Sequence, residues 1–293
     1  MKDLIIMYHY VMEPEHWKGS VPISPENFKK QVLWAKKHYE IVKPEDIHKP
    51  TSKPKCIISF DDGTKDQYKN AFNILKELEV PGYFTIMYGP LRLKKIPIFH
   101  LVHTVLSYFD DQVIWNEISS KVNQDEIRNR SEIYSYETNK YRRYVKYLFN
   151  FYFAENESRI YLEEKVISIY GSLEKFIEEF YISEQEILEM DNAGMSIGVH
   201  CVNHIPYGGN ALDFYNQEIA PCKSYLEKLL SKEVKLYTPA FGGGENAVTM
   251  QGELLPILQQ KGFTAGFTTQ KGFTDLQQGF WHNRIDCNQL NYK

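Results

Sequence analysis

Three short apolar runs in this chain each stop at residues that a buried strand does not normally carry. Leu4 to Met7 leads into Tyr8-His9, Cys56 to Phe60 into Asp61-Asp62-Gly63, and Met195 to Val199 into His200-Cys201-Val202-Asn203-His204. Short continuous apolar runs read as strands buried on both faces of a parallel sheet. The polar residues that end them would then gather at the C-terminal ends of the strands, where a barrel face or a sheet crevice collects its active groups.

The intervening sequence supports an α/β layout. Ser24-Pro25 reads as a cap and first helical residue, opening a helix to about His38 with Phe28, Val32, Leu33 and Ala35 on one face. Gln67 to Glu79 has Ala71, Ile74, Leu75 and Leu78 spaced for burial, and Tyr83 to Met87 reads as a strand. Residues 91–189 break this rhythm. Tyr141, Tyr144, Val145, Leu148 and Tyr152 recur every three or four positions, and Glu163 to Tyr170 and Leu173 to Tyr181 suggest further helices. We read 1–293 as a single domain with 91–189 as a helical insertion. Enclosing a small substrate, contacting a partner or forming a homo-oligomer interface are its open uses. Alternation resumes with helices at Glu184 to Asn192, Asp213 to Leu230 and Glu253 to Gln260, and strands at Lys235 to Thr238, Ala265 to Thr268 and Phe280 to Asp286.

With 293 residues, 43% of them hydrophobic, the chain has enough material for a substantial core. A formal charge of −4 gives no general electrostatic case for a nucleic-acid partner. The four cysteines, Cys56, Cys201, Cys222 and Cys287, lack C-x-x-C spacing and suggest neither a disulfide scaffold nor a Cys-rich zinc module. The N-terminal apolar run is too short for a signal-peptide core, and no stretch approaches the roughly 20 apolar residues that cross a bilayer. A soluble cytoplasmic protein is the expectation.

Adjacent carboxylates at a strand exit need more than a turn to explain them, because an Asx-turn or helix cap uses one Asp and not two. One of the pair together with His200 and His204 makes three oxygen and nitrogen ligands, the usual protein share of a catalytic zinc or similar divalent site. The other Asp is left to handle the protons of a water. The two His would lie on one side of a helix, or be brought together by a loop. These residues point to a metal-assisted hydrolase.

Ser59-Phe60-Asp61-Asp62-Gly63, Ser196 to His204, Tyr237-Thr238-Pro239-Ala240-Phe241-Gly242 and Lys261 to Thr269 together resemble the polysaccharide deacetylase family, also known as the NodB-homology or carbohydrate esterase family 4 group. The opening Leu4 to His9 is similar to its poly-N-acetylglucosamine deacetylase branch. The resemblance spans both ends of the chain and omits the insertion. It implies an irregular (β/α) barrel and removal of an N-acetyl group from an amino sugar or glycan. One divalent ion is implied, zinc first, with cobalt, manganese or nickel as alternatives. Asp61 becomes the general base, Asp62, His200 and His204 the metal ligands, and His9 the general acid, with His282 as the rival acid. Tyr8, Tyr237, Thr238, Pro239, Phe241, His282 and Arg284 become the substrate pocket. Two departures stand out. The third motif, where many members carry an Arg that orients the catalytic Asp, reads Lys235-Leu236-Tyr237-Thr238-Pro239, and no Leu-x-His element appears late in the chain. They leave open a catalytically impaired carbohydrate-binding protein of the same fold, or a hydrolase of another small amide. His100 and His103, inside the insertion, have apolar neighbours and no acidic or Cys partner in a metal motif, so they read as packing residues.

Overall fold

The structure is a computed structural model in which residues 2–244 and 246–292 are described. It divides into two compact units, one of residues 1–12, 22–95 and 180–293, the other of 13–21 and 96–179.

The first unit is built on eight strands: β1 Leu4–Tyr8, β2 Glu40–Ile41, β3 Lys55–Phe60, β4 Tyr83–Met87, β5 Ser196–Cys201, β6 Leu236–Tyr237, β7 Ala265–Lys271 and β8 Trp281–Asp286. All neighbours are parallel, and β1 pairs with both β8 and β3, which closes the sheet into a barrel. The two-residue β2 lies along Lys55 and Cys56 of β3, below the stretch that β4 occupies at Ser59 and Phe60. Register shifts within β4–β5 and β7–β8 make the barrel irregular.

Alternation along the strands sorts two cores. Leu4, Ile6 and Tyr8, with Cys56, Ile58 and Phe60, join the layer shared with the surrounding helices, whereas Ile5 and Ile57 pack with Tyr83, Leu236, Ala265 and Phe267 in the interior. Ser59 and Asp61 follow the inward parity of Ile57. Each fully buried Leu, Ile or Phe of these layers is worth about 1.5–3 kcal/mol in apolar burial. Tyr8 belongs to the outer layer and not to a pocket. It is fully buried, its ring 5.0 Å from Phe28 and 5.3 Å from Phe60, and its hydroxyl donates to Gln31 Oε1 at 2.7 Å.

The helix Pro25–His38 starts as its sequence dictates, with Ser24 Oγ accepting from the Asn27 N–H, but Leu33 faces solvent while Phe28, Gln31, Val32 and Ala35 are buried. Gln67–Phe72 forms a wider helical turn that continues as Asn73–Glu77. The predicted helix over 213–230 is continuous backbone from Ala211 to Leu230.

The second unit is helical, with Ile98–Tyr108, Asp111–Ile118, Lys140–Tyr147 and Glu155–Tyr170 among its elements. Leu101, Val102, Val105, Leu162 and Val166 are fully buried in it, as is His100. Arg142 makes an ion pair with the buried Asp111 at 3.1 Å. Residues 13–21 belong here because Gly19 lies against the 98–108 helix: a Cβ at Gly19 would stand 2.0 Å from the His103 carbonyl oxygen, and the Gly19 N–H donates to Ser107 Oγ at 3.0 Å. No periodicity marks such a contact in advance. Among the described residues, no helix is long and apolar enough to cross a membrane.

Candidate active site

β1, β3 and β5 deliver His9, Asp61-Asp62 and His200 to the same end of the barrel. The chain leaves β3 abruptly. Asp62 takes φ +76 and Gly63 φ +64, so Asp61 keeps its inward direction while Asp62 is turned away from the strand path. His204 also adopts a left-handed conformation, φ +58. Such backbone is uncommon for residues with a Cβ and concentrates at functional sites.

Asp61 is almost fully buried and is gripped by Arg284, which reaches inward from β8. Arg284 Nη1 lies 2.7 Å from Asp61 Oδ1 and Nη2 2.7 Å from Oδ2, a two-pronged charged contact. The guanidinium is itself fixed, with Nε donating to the Thr268 carbonyl at 2.8 Å and Nη1 lying 3.3 Å from Ser59 Oγ. Burial alone would push the Asp61 carboxyl up, but the charge and hydrogen bonds of Arg284, helped by His200 and His9, outweigh it and hold the carboxyl below its ordinary value. Asp61 is therefore anionic at neutral pH. Arg284 of β8 thus makes a charged contact with Asp61, whereas the third motif offers no Arg.

Asp62, His200 and His204 form the second half of the site. One ligand atom from each lies within 4.8 Å of the others. His200 Nε2 is 3.1 Å and His204 Nε2 3.7 Å from Asp62 Oδ1. The fit to a divalent ion is carried by His200. Its Nδ1 faces the Thr238 carbonyl at 2.8 Å, so a proton on Nδ1 is held there and Nε2 is left as the electron-pair donor toward Asp62. Burial would lower the His200 pKa, but Asp62, Asp61 and the Thr238 carbonyl together raise it. His200 lies inside β5 and His204 in the loop beyond, so the pair converges through a turn and not along one helix face.

Two residues outside the motifs, Glu218 and Tyr83, hold this half together. The buried Glu218 accepts from the Asn203 N–H at 2.9 Å and from Asn203 Nδ2 at 2.6 Å, fixing the loop between the two His. An acid within the stripe Tyr215, Ile219, Cys222 and Leu226 was the available signal, since a carboxylate on a helix's apolar face needs a buried donor. Gly198 admits the Tyr83 ring, which a Cβ there would meet at 2.5 Å, and Tyr83 Oη lies 3.1 Å from Thr238 Oγ1. Thr238 is consequently a support for His200 and not an open pocket wall.

His9 stands beside this centre, 39% exposed, with Nε2 3.9 Å from Asp61 Oδ2. Phe241 is 49% exposed and its ring is 5.0 Å from that of His204. It joins Pro206, Tyr207, Gly243, Asn246 and Met250 around a cavity of about 330 Å³. Tyr237 and Pro239 are buried, Tyr237 packing on Phe263 and Trp281 in the core. His282 is not brought to the site. It points into the barrel near the strand starts, its Nδ1 3.2 Å from Thr274 Oγ1, and its titratable neighbours are His48, Asp275 and Asp3. Burial, with a contribution from His48, depresses it to about 4.

Residues 172–266 match the family model described as polysaccharide deacetylase. Similar folds occur in the Streptococcus pyogenes deacetylase PplD in complex with acetate (19% identity, 98% of this chain and 92% of that one, TM-score 0.58) and in IcaB from Ammonifex degensii (16%, 97% and 91%, 0.59). A third is the de-N-acetylase from Aggregatibacter actinomycetemcomitans (15%, 98% and 96%, 0.55). No curated protein matches the chain in sequence. The resemblance to the polysaccharide deacetylase family is borne out, and the fold is the α/β barrel of NodB-like deacetylases. The family match supports a carbohydrate deacetylase.

Proposed function

We propose that this protein is a metal-dependent hydrolase that removes the acetyl group from an N-acetylated amino sugar within a glycan. The observation that carries the reading is the two-pronged Arg284–Asp61 contact at 2.7 Å directly beside the Asp62, His200 and His204 cluster. It separates the neighbouring carboxylates into a base held anionic and a ligand. A divalent ion held by Asp62, His200 and His204, zinc by choice with cobalt, manganese or nickel as alternatives, would supply Lewis-acid polarisation of the amide carbonyl and acidify the attacking water.

The chain's own residues account for the proton movements. Asp61 accepts a proton from the water as its oxygen bonds to the amide carbon. Arg284 keeps Asp61 oriented, and the proton that Asp61 has taken passes on to solvent water, returning the carboxylate. His9, in its protonated form, gives a proton to the nitrogen as the C–N bond breaks, so the products are acetate and a free amino sugar. Phe241 and the cavity beside His204 offer an aromatic wall of the size a sugar ring needs. The altered third motif no longer favours the impaired-binder alternative, because Arg284 would fill the role that the motif leaves empty.

The test is acetate release from mono-, nucleotide-linked and oligomeric N-acetylglucosamine with zinc, cobalt, manganese or nickel added. Metal-dependent acetate release, abolished by Asp61→Asn, is expected. Glycan binding without acetate release under every metal would overturn the enzyme in favour of the binder.

A further inference from the structure

The segment that carries His9 has no regular structure of its own, yet the carbonyls of Tyr8, His9, Tyr10 and Val11 and the Val11 N–H are all held. The Tyr8 carbonyl accepts from the Asp61 N–H at 3.0 Å, and the Tyr10 carbonyl from the Ile23 N–H at 3.0 Å. Three of these groups are taken by side chains just downstream of Asp61-Asp62. The His9 carbonyl accepts from Gln67 Nε2 at 2.8 Å. The Val11 N–H donates to Asp66 Oδ2 at 2.6 Å, and the Val11 carbonyl accepts from Asn70 Nδ2 at 2.7 Å. Gln67 Nε2 also donates to the Asp61 carbonyl, so one side-chain amide ties the backbone of His9 to that of Asp61.

We propose that Asp66, Gln67 and Asn70 are positioning residues for His9, a polar clamp that fixes the acid's backbone against the segment bearing the base. Helical geometry explains why these three serve together. Positions 66, 67 and 70 fall on one side of the first turn after Gly63, facing the exit of β1. A helix start normally spends such side chains on its own N–H groups, whereas Asp66 makes no cap bond to its helix and binds Val11 instead. Asp66 and Gln67 are buried, so each contact works away from competing water; burial raises the Asp66 carboxyl to about 6, which leaves it mostly ionised at neutral pH and the Val11 bond charge-assisted. The consequence is that the 3.9 Å spacing between His9 Nε2 and Asp61 Oδ2 is set by the clamp and does not depend on packing of the half-exposed imidazole.

The inference rests on His9 as the acid, and two readouts keep its failure distinct from failure of that reading. First, amide hydrogen exchange at Val11 should rise at least tenfold in the full chain carrying Asp66→Ala, with β3 and β5 still protected, and return toward the parent rate in Asp66→Asn, whose carbonyl can accept the same bond. Unchanged Val11 exchange in Asp66→Ala overturns the clamp whatever the enzyme does. Second, Asp66→Ala and the milder Asn70→Ala should lower kcat for acetate release five- to fiftyfold with KM little changed. Either substitution should add almost nothing in a His9→Ala background. Equal losses in both backgrounds overturn the positioning role. His9→Ala with full activity removes the acid assignment itself, an outcome that Val11 exchange does not share. Asn70→Ala, at a half-buried position, serves if Asp66→Ala fails to fold.

Discussion

At the mouth of the barrel Arg284 lies buried against Asp61, and two residues earlier on the same inward face of β8 His282 lies buried near the strand starts. Burial penalises both side chains as ions. Arg284 meets a carboxylate in a two-pronged contact, and the pairing offsets part of the cost of burying both charges. His282 has Thr274 as a hydrogen-bond partner and only more distant acids in Asp3 and Asp275, and it is held neutral, at about 4. Depth therefore does not decide which buried ionisable group works; a partner of opposite charge within contact distance does.

The largest effect should come from removing the charge at the mouth. Asp61→Asn is expected to cut kcat for acetate release by about 10²–10⁴, the range of general-base catalysis, with circular dichroism unchanged. Activity within tenfold of the parent would mean that the base lies elsewhere. Arg284→Met tests the same contact from the other side. It leaves a carboxylate buried alone and should cost about 3–5 kcal/mol of stability, read by urea denaturation, together with most of the activity. Arg284→Lys should rescue stability better than turnover, since one ammonium cannot reproduce the fork.

The floor should respond to pH and not to chemistry. The folded pKa of His282 lies below its ordinary value of 6.5, so the unfolded chain binds the proton more readily. Its contribution to stability is full above about pH 6.5 and falls as the pH drops toward 4, by at most about 3 kcal/mol. His282→Gln should flatten that acid limb of Tm against pH while leaving acetate release within threefold. A large loss of activity in His282→Gln would restore it as the acid and collapse the contrast between the two ends.

The strands that build the mouth were legible because each is short, apolar and ended by polar residues, a pattern with few structural meanings. Asp61, Asp62, His200, His204 and His9 were legible for the same reason. Arg284 was expected in the substrate pocket but is buried against Asp61, because its partner lies on β3 and no local pattern links the two strands. Tyr8 and Tyr237 were misplaced into the pocket by neighbourhood: they adjoin the site in sequence, but strand alternation turns their side chains into the core. Asp66, Gln67 and Asn70 act on backbone groups of a distant loop, and side-chain-to-backbone contacts of that range leave no spacing to read, whereas Glu218 was marked only as an acid on its helix's apolar face.

The left-handed backbone at Asp62 and His204 gives any substitution there two separate consequences. A new side chain alters ligand chemistry, and it also meets a conformation that glycine tolerates freely, Asn and Asp moderately, and Ala or β-branched residues poorly. Asp62→Gly and Asp62→Ala both delete the carboxylate, so their difference in stability isolates the backbone, with Gly expected to be the more stable by about 1 kcal/mol. Sequence drift at these two positions is thereby narrowed by torsion as well as by chemistry, and neutral routes away from the proposed ligand set are correspondingly few.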